Sequence, residues 1–278
     1  MIVSRNDRPT GDDIRPSPSG TTPLQGAGAS VDRVPDPALG IFESLLVWEG
    51  RPIELDAHLA RLQESARVLY GISLPDRLAS DVEAEARRGP PCARLAIDLD
   101  PRRSPGHRIT YRSEELSPDI VFPPPAEGIE VEVLRLHHGL GAHKWRDRRL
   151  VEGGGGPEED PQPLIVDPEG RVLETGRGSL FAIRDEVLRT PSLDGRILPG
   201  IGRRRILEIA ARRGLSVSVG DMTLDELAGA EEAFSTNSVR GIEPLRGCRG
   251  LAAWTCRGVT GELRLEMARG WSIPVSEH

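Results

Sequence analysis

Four prolines lie within residues 117–128 of this 278-residue chain, at positions 118, 123, 124 and 125. Proline lacks a backbone N–H and restricts the residue before it, so neither a helix nor a central strand can run through such a segment. The segment is therefore the predicted domain boundary. We predict a smaller α/β domain over residues 39–122 and a larger one over 129–278. Residues 1–38 are rich in Pro, Gly, Ser, Thr and Asp, which predicts a disordered lead.

Strand and helix patterns alternate on both sides of this boundary. Residues 41–48 and 51–55 predict a hairpin around Glu49-Gly50, and Asp56 is positioned to cap a helix that ends at Gly71. In the second half, a helix over 201–213 ends at Gly214. Further strands are predicted over 94–99, 108–112, 129–136, 164–166, 172–174, 180–183, 215–219 and 232–235, and further helices over 224–228 and 260–269.

Composition excludes several classes of protein. The sequence contains no run of about 18 apolar residues, so no membrane span is predicted. The N-terminus lacks the apolar core of a secretory signal, and we therefore expect a cytoplasmic protein. The net charge of −7 disfavours nucleic-acid binding, because nucleic-acid-binding domains usually carry a basic surface. Cys92, Cys248 and Cys256 are an odd number without metal-ligand spacing, which predicts free thiols in a reducing compartment.

Lys144 is the single lysine among 36 basic residues. Arginine serves equally well as a surface cation but cannot lose its proton in a protein, whereas a buried lysine can act as a base or nucleophile. Lys144 is thus the first candidate for a catalytic amine, although a lysine left by chance on the surface would give the same count.

A lysine that carries pyridoxal 5′-phosphate needs an acid beside the pyridine nitrogen and a cup for the phosphate. Glu174 lies near the end of a predicted hairpin strand, after the turn sequence at 167–170. Gly200-Ile201-Gly202 begins a helix where backbone N–H groups can approach an anion, and Arg61 lies on a helix face that can point inward. Each of these residues also has an ordinary structural explanation.

Their order and spacing resemble the class IV aminotransferase family, the fold-type IV enzymes that use pyridoxal phosphate. The matching segments cover roughly residues 40–270. They are 40–44 (GIFES), 55–62 (LDAHLARL), Lys144, 173–175 (LET), 189–191 (RTP), 198–201 (LPGI) and 234–238 (FSTNS). The resemblance implies a two-domain α/β (α+β) fold whose larger domain binds the cofactor.

The same resemblance implies roles for individual residues. Lys144 would bind the cofactor covalently, Glu174 would contact the pyridine nitrogen, and Arg61 would bind the phosphate. Ile201, Gly202 and Asn237 would complete the phosphate cup. The chain departs from the family pattern at two positions, with Ser179 where Asn is usual and Gly202 where Thr is usual. Gly202 lacks the hydroxyl donor but keeps its backbone N–H, which predicts weaker cofactor binding.

Within the family, the segments 144–148 (KWRDR) and 237–244 (NSVRGIEP) are similar to those of aminodeoxychorismate lyases. This similarity implies release of pyruvate from 4-amino-4-deoxychorismate to form 4-aminobenzoate, a folate precursor. Lys144 would then be the general base, Ser44 an acid near the leaving group, and Arg240 a ligand of a substrate carboxylate. Family membership also implies a homodimer and cooperation with an aminodeoxychorismate synthase.

Three alternatives stay open from sequence. A class IV aminotransferase of branched-chain or D-amino-acid type would need a substrate-carboxylate motif that residues 94–112 do not contain. A non-catalytic relative would bind the cofactor or a partner without turnover. A metal site at His137, His138 and His143 is disfavoured, because adjacent strand residues point to opposite faces.

Overall fold

The computed structural model describes residues 33–151, 161–255 and 258–275. Almost all of the predicted disordered lead, and Cys256, therefore lie outside the described residues. No helix in these three ranges is long and apolar enough to cross a membrane.

The first half of the chain forms a four-stranded antiparallel sheet with two helices. The strands are β1 (Ile41–Trp48), β2 (Arg51–Pro52), β3 (Cys92–Leu99) and β4 (Ile109–Glu115), in the order β2-β1-β3-β4. The helices are α1 (Leu55–Tyr70) and α2 (Leu78–Arg88). Ile41, Glu43 and Leu45 alternate along β1 and are buried, so a carboxylate lies within an otherwise apolar series.

The predicted hairpin is confirmed, but the predicted cap of α1 is wrong. Glu49 and Gly50 both have positive φ, 52° and 73°, as a tight hairpin turn requires. The second strand ends at Pro52 rather than at residue 55, because the chain turns into α1 at Leu55. Glu54 is the N-cap, in a left-handed conformation without a side-chain hydrogen bond, so Asp56 lies inside the first turn. Gly71 ends the helix as predicted, with φ 63°.

The second half forms a nine-stranded mixed sheet. Its strands are β5 (Ile129–Arg135), β6 (Gln162–Val166), β7 (Val172–Thr175), β8 (Ser179–Arg184), β9 (Val187–Thr190), β10 (Ser216–Val219), β11 (Glu232–Asn237), β12 (Gly241–Cys248) and β13 (Ala252–Ala253). They run in the order β10-β9-β8-β11-β12-β5-β6-β7, and β13 pairs with β12. The helices of this half are α3 (Ile201–Arg213), α4 (Leu224–Ala228) and α5 (Val259–Trp271).

The core of the larger sheet lies mainly under α3 and α5. Ile206 and Ile209 of α3 and Met267 of α5 belong to one buried cluster with Phe181 and Phe234, whose rings stack at 5.1 Å. Residues of α4 and Met222 belong to a second buried cluster with β6 and β8. The start of α3 is consequently held against the ends of β8 and β11, which places a helix N-terminus beside them.

The proline-rich segment is fixed against the larger sheet. Phe122 is buried, its N–H donates to Arg240 O at 2.8 Å, and its ring lies 5.3 Å from that of Trp271. The buried Arg264 of α5 donates to the carbonyls of Phe122 and Pro123. The segment interrupts regular structure as predicted, and it also connects α5 to the loop that carries Arg240.

Candidate active site

A cavity of about 980 Å³ is lined by residues of both sheets. Every residue predicted for the site lies in its wall: Ser44, Arg61, Lys144, Glu174, Ile201, Gly202, Asn237 and Arg240. The fold thus brings together residues that are up to 196 positions apart, from Ser44 to Arg240. The roles predicted for them are considered one by one below.

Lys144 is fixed by backbone hydrogen bonds to β1. Phe42 N–H donates to Lys144 O at 2.9 Å, and Arg146 N–H donates to Gly40 O at 3.0 Å, so the lysine segment runs antiparallel to the start of the strand. Its Nζ lies 4.8 Å from the centre of the Phe42 ring. Desolvation in this environment, assisted by the positive charge of Arg61, lowers the pKa of Lys144 to about 7. A substantial fraction of the amine is therefore uncharged at neutral pH.

Glu174 lies on β7 opposite Ile165 and is buried. Burial raises the pKa of its carboxyl to about 8, although a backbone hydrogen bond from Leu198 and the charge of Arg148 act in the opposite direction. Its Oε1 has no hydrogen-bond partner among the described residues. A buried acceptor without a donor is costly, so this atom suits a ligand that brings an N–H group.

The first turn of α3 packs closely against Ser179 and Thr236. A Cβ on Gly200 would lie 2.4 Å from Ser179 Oγ, and a Cβ on Gly202 would lie 2.6 Å from Thr236 Oγ1. A side chain at either position would therefore require the Ser179 or Thr236 hydroxyl to shift. The N-cap makes no side-chain hydrogen bond and the first turn has no acidic residue, so the N–H groups at Ile201 and Gly202 are suited to an anion.

Arg61 is held next to this helix start. Its Nη1 donates to Pro199 O at 2.9 Å, while Nε and Nη2 donate to the two carboxylate oxygens of Glu43, each at 2.7 Å. His58 Nδ1 contacts the same carboxylate at 2.7 Å. Glu43 and His58 have no role predicted from sequence, although both lie in segments that carry the family resemblance. The pattern of a carboxylate at an inward position of an apolar strand could have identified Glu43.

The loop after β11 orients the last two predicted residues. Asn237 Oδ1 accepts the N–H groups of Val239 and Arg240, and its Nδ2 donates to the buried Glu243 at 2.6 Å. The Asn237 side chain is thus engaged within the loop, and its backbone N–H is the group that lies near Gly202. Arg240 Nη1 lies 3.5 Å from Glu243 Oε1, on the cavity wall.

Arg148 is a further cavity residue, with no role predicted from sequence. Its Nη2 donates to Gly176 O, just after Glu174, and its charge lowers the pKa of both Glu174 and Lys144. Ser44 also lines the cavity, two residues along β1 from Phe42. The wall thus combines an amine, an acid, a hydroxyl and several guanidinium groups.

These residues fit pyridoxal phosphate. The group has a pyridine N–H, a carbon that reacts with amines and a phosphate, and the cavity offers Glu174 Oε1, Lys144 Nζ and the start of α3 with Arg61, respectively. The two glycines let the start of α3 pack closely against Ser179 and Thr236, and Gly200, Ile201 and Gly202 all line the cavity.

Comparison with known proteins agrees with this geometry. The family model described as amino-transferase class IV matches residues 40–118 and 158–248. An aminodeoxychorismate lyase of Vibrio harveyi is 38% identical over 226 residues, covering 75% of this chain and 82% of the relative. A putative branched-chain-amino-acid aminotransferase of Methanocaldococcus jannaschii is 26% identical over 223 residues, covering 74% and 77%. The solved structure of 4-amino-4-deoxychorismate lyase from Pseudomonas aeruginosa superimposes with a TM-score of 0.66 and 24% identity, covering 87% and 96%.

Proposed function

Because the chain belongs to the class IV aminotransferase family and has the fold of its fold-type IV enzymes, we propose that it is a pyridoxal phosphate-dependent 4-amino-4-deoxychorismate lyase. The products would be pyruvate and 4-aminobenzoate. The observation that carries the proposal is that Lys144, Glu174 and the N-terminus of α3 line one cavity in a chain 38% identical to a lyase of this name. The bound cofactor would supply a ring that accepts electrons from the substrate carbon.

Lys144 is the residue suited to move the proton. With the cofactor bound, Nζ would accept the proton from the substrate ring carbon that bears the amino group. Its pKa of about 7 keeps much of the amine in the basic form at neutral pH. The C–O bond on the neighbouring carbon then breaks, and the enolpyruvyl group takes up a proton to become pyruvate. The amino group stays on the ring, which becomes the aromatic ring of 4-aminobenzoate, so no amino acceptor is needed.

Ser44 and Arg240 contact the substrate in this proposal. Ser44 lies on the cavity wall near Phe42 and Lys144, where its hydroxyl can donate a proton toward the leaving enolpyruvyl oxygen. Arg240 can bind one of the two substrate carboxylates, because its guanidinium is oriented by Glu243 at the cavity wall. Arg148 is a second cation in the same wall and is suited to the other carboxylate.

An aminotransferase is the second candidate, because the archaeal relative named as a branched-chain enzyme also covers about three quarters of this chain. The two activities differ in their need for a second substrate. A transaminase requires a keto acid to accept the amino group, whereas the lyase releases pyruvate from aminodeoxychorismate alone.

The deciding experiment incubates the purified protein and pyridoxal phosphate with aminodeoxychorismate, without any keto acid, and measures pyruvate and 4-aminobenzoate. We expect both products in equal amounts, and neither from Lys144→Ala. Arg103→Ala, on an exposed turn, is the control and should keep full activity. A protein that shows the absorption band of lysine-bound cofactor but forms no product would refute the lyase proposal and direct a transaminase screen. A protein with no such band would favour a non-catalytic relative.

We further propose a cytoplasmic homodimer that receives its substrate from an aminodeoxychorismate synthase and supplies 4-aminobenzoate for folate. Family membership supports this assembly and this pathway. Light scattering after size-exclusion chromatography should give twice the mass of 30.3 kDa. A monomeric mass would contradict the proposed assembly.

A further inference from the structure

Glu43, His58 and Arg61 form a buried ion-paired group behind the cavity wall. Glu43 is 1% exposed and His58 is 0% exposed, and the Arg61 side chain is 11% exposed at the cavity. Two of the three come from the first two turns of α1, and Glu43 projects toward them from β1. Burying a carboxylate among apolar residues is costly unless its charge and its hydrogen bonds are compensated.

The hydrogen bonds to Glu43 compensate that cost. The carboxylate accepts from His58 Nδ1, Arg61 Nε and Arg61 Nη2, all at 2.7 Å. Although burial opposes ionisation, the charge and hydrogen bonds of Arg61, with the hydrogen bond from His58, hold the pKa of Glu43 at about 2. Burial lowers the pKa of His58, which favours the neutral imidazole with its proton on Nδ1. Glu43 and Arg61 are therefore a neutral pair at physiological pH.

This pair leaves Arg61 with little freedom. Two of its nitrogens are bound by Glu43, and Nη1 donates to the carbonyl of Pro199, the residue just before the N-cap of α3. The guanidinium is thus fixed on one side by β1 and on the other by the loop that begins the anion-binding turn. A planar guanidinium bound in this way is oriented before any ligand arrives, which reduces the entropy lost on binding.

We propose that Glu43 is a positioning residue that sets the affinity of this site for the cofactor phosphate by fixing Arg61 beside the N-terminus of α3. This inference rests on the proposed function, because it assigns the site to a phosphorylated pyridoxal. Glu43 does not line the cavity, and it acts on the phosphate through Arg61. Its charge also raises the pKa of Lys144, an effect that applies equally to ligands with and without a phosphate. The negative charge of Glu43 also reduces the positive potential of Arg61, which would weaken phosphate binding. The sign of the change in affinity on removing this charge distinguishes positioning from neutralisation.

The test compares pyridoxal phosphate with pyridoxal, which lacks the phosphate. Cofactor-free wild type, Glu43→Gln and Glu43→Asp are titrated with each ligand, and binding is followed by the absorption of the lysine-bound product. Glu43→Gln should lower the affinity for pyridoxal phosphate by about 10- to 100-fold, as expected for loss of a charge-assisted hydrogen bond. Its affinity for pyridoxal should change much less, because only the effect of the Glu43 charge on Lys144 applies to that ligand. Glu43→Asp retains the charge, and hence the fold, but is too short to bind both Arg61 nitrogens, so an intermediate loss is expected.

Glu232→Gln is the matched control. Glu232 is also a largely buried, hydrogen-bonded carboxylate, but it accepts from Gly258 and Thr260 at the start of α5 and does not line the cavity. This variant should bind both ligands like the wild type. Equal losses for both ligands in the Glu43 variants, unchanged binding, or tighter binding of pyridoxal phosphate would each overturn the positioning role. A wild type that binds neither ligand would overturn the proposed function and this inference together.

Discussion

In the cofactor-free protein, the difference in free energy of unfolding between Glu174→Gln and the wild type should increase in favour of the variant as the pH rises. The carboxyl is buried on β7, and its Oε1 has no hydrogen-bond partner among the described residues. Its pKa rises from 4.5 to about 8 on burial. When folding raises the pKa of a carboxyl, the contribution of that group to stability is fully present below the pKa of the unfolded state. It is lost as the pH rises through the pKa of the folded state, because ionisation then favours unfolding. Glutamine does not titrate and removes this dependence.

The expected magnitude follows from the pKa values. Raising a pKa from 4.5 to about 8 disfavours the ionised form by about 5 kcal/mol. Linkage converts this into a destabilisation of the folded wild type of about 1 kcal/mol at pH 5 and about 4 kcal/mol at pH 8. The difference in free energy of unfolding between Glu174→Gln and wild type should therefore grow by about 3 kcal/mol over that range. The constant cost of burying an amide cancels from this change.

Urea denaturation of both cofactor-free proteins at pH 5, 6, 7 and 8 measures the difference directly. Glu130→Gln, an exposed position on β5, is the control and should show no comparable trend. After loading with pyridoxal phosphate, the trend should disappear or reverse, because a cationic ring N–H next to Glu174 favours the carboxylate. A difference between Glu174→Gln and wild type that is constant from pH 5 to pH 8 would refute the view of Glu174 as a buried, neutral acid.

Three further predictions concern packing and substrate binding. Gly202→Ala places a Cβ 2.6 Å from Thr236 Oγ1. Urea denaturation should show a loss of about 1–3 kcal/mol in the free energy of unfolding, and unchanged stability would contradict the packing at the start of α3. Arg240→Gln should raise KM for aminodeoxychorismate by about tenfold or more while keeping kcat, because uniform binding is lost; a fall in kcat alone would assign Arg240 another role. Arg264→Met leaves the carbonyls of Phe122 and Pro123 without the donor that Arg264 supplies. The free energy of unfolding, measured by urea denaturation, should fall by about 1–3 kcal/mol, whereas wild-type stability would show that this buried contact contributes nothing.

Strong local patterns predicted several elements to the residue. The strand Ile41–Trp48 and the helices Ile201–Arg213 and Leu224–Ala228 have the predicted bounds, because glycine or turn residues stand at their ends. The helix Leu78–Arg88 was missed. Its buried residues, Leu78, Val82 and Ala86, recur at the helical interval of four, so a local periodicity is present. The stripe is narrow and decreases in size to alanine among charged residues, and its burial depends on contacts with the sheet.

The candidate site was predictable only in part, for a related reason. Lys144 stood out by composition, and the other residues proposed to bind the cofactor were inferred from the order of the motifs. Glu43 did not, because an acidic residue in a strand usually faces solvent, and its burial here depends on donors from α1. Likewise, the engagement of the Asn237 side chain by Glu243 results from the pairing of β11 with β12, which no local pattern specifies.

The charges of the cavity complement those of a ligand that has a basic nitrogen at one end and an anion at the other. Near pH 7, Glu174 is largely protonated and Lys144 is partly neutral, since burial disfavours the charged form of each. Arg61 is already neutralised by Glu43, and the helix start contributes only partial positive charge. A ligand with a basic ring nitrogen at one end and a dianion at the other would let Glu174 ionise and would use the oriented donors of Arg61 and α3. The cost of keeping these groups buried is thus recovered when such a ligand binds, which ties the fold of this chain to its cofactor.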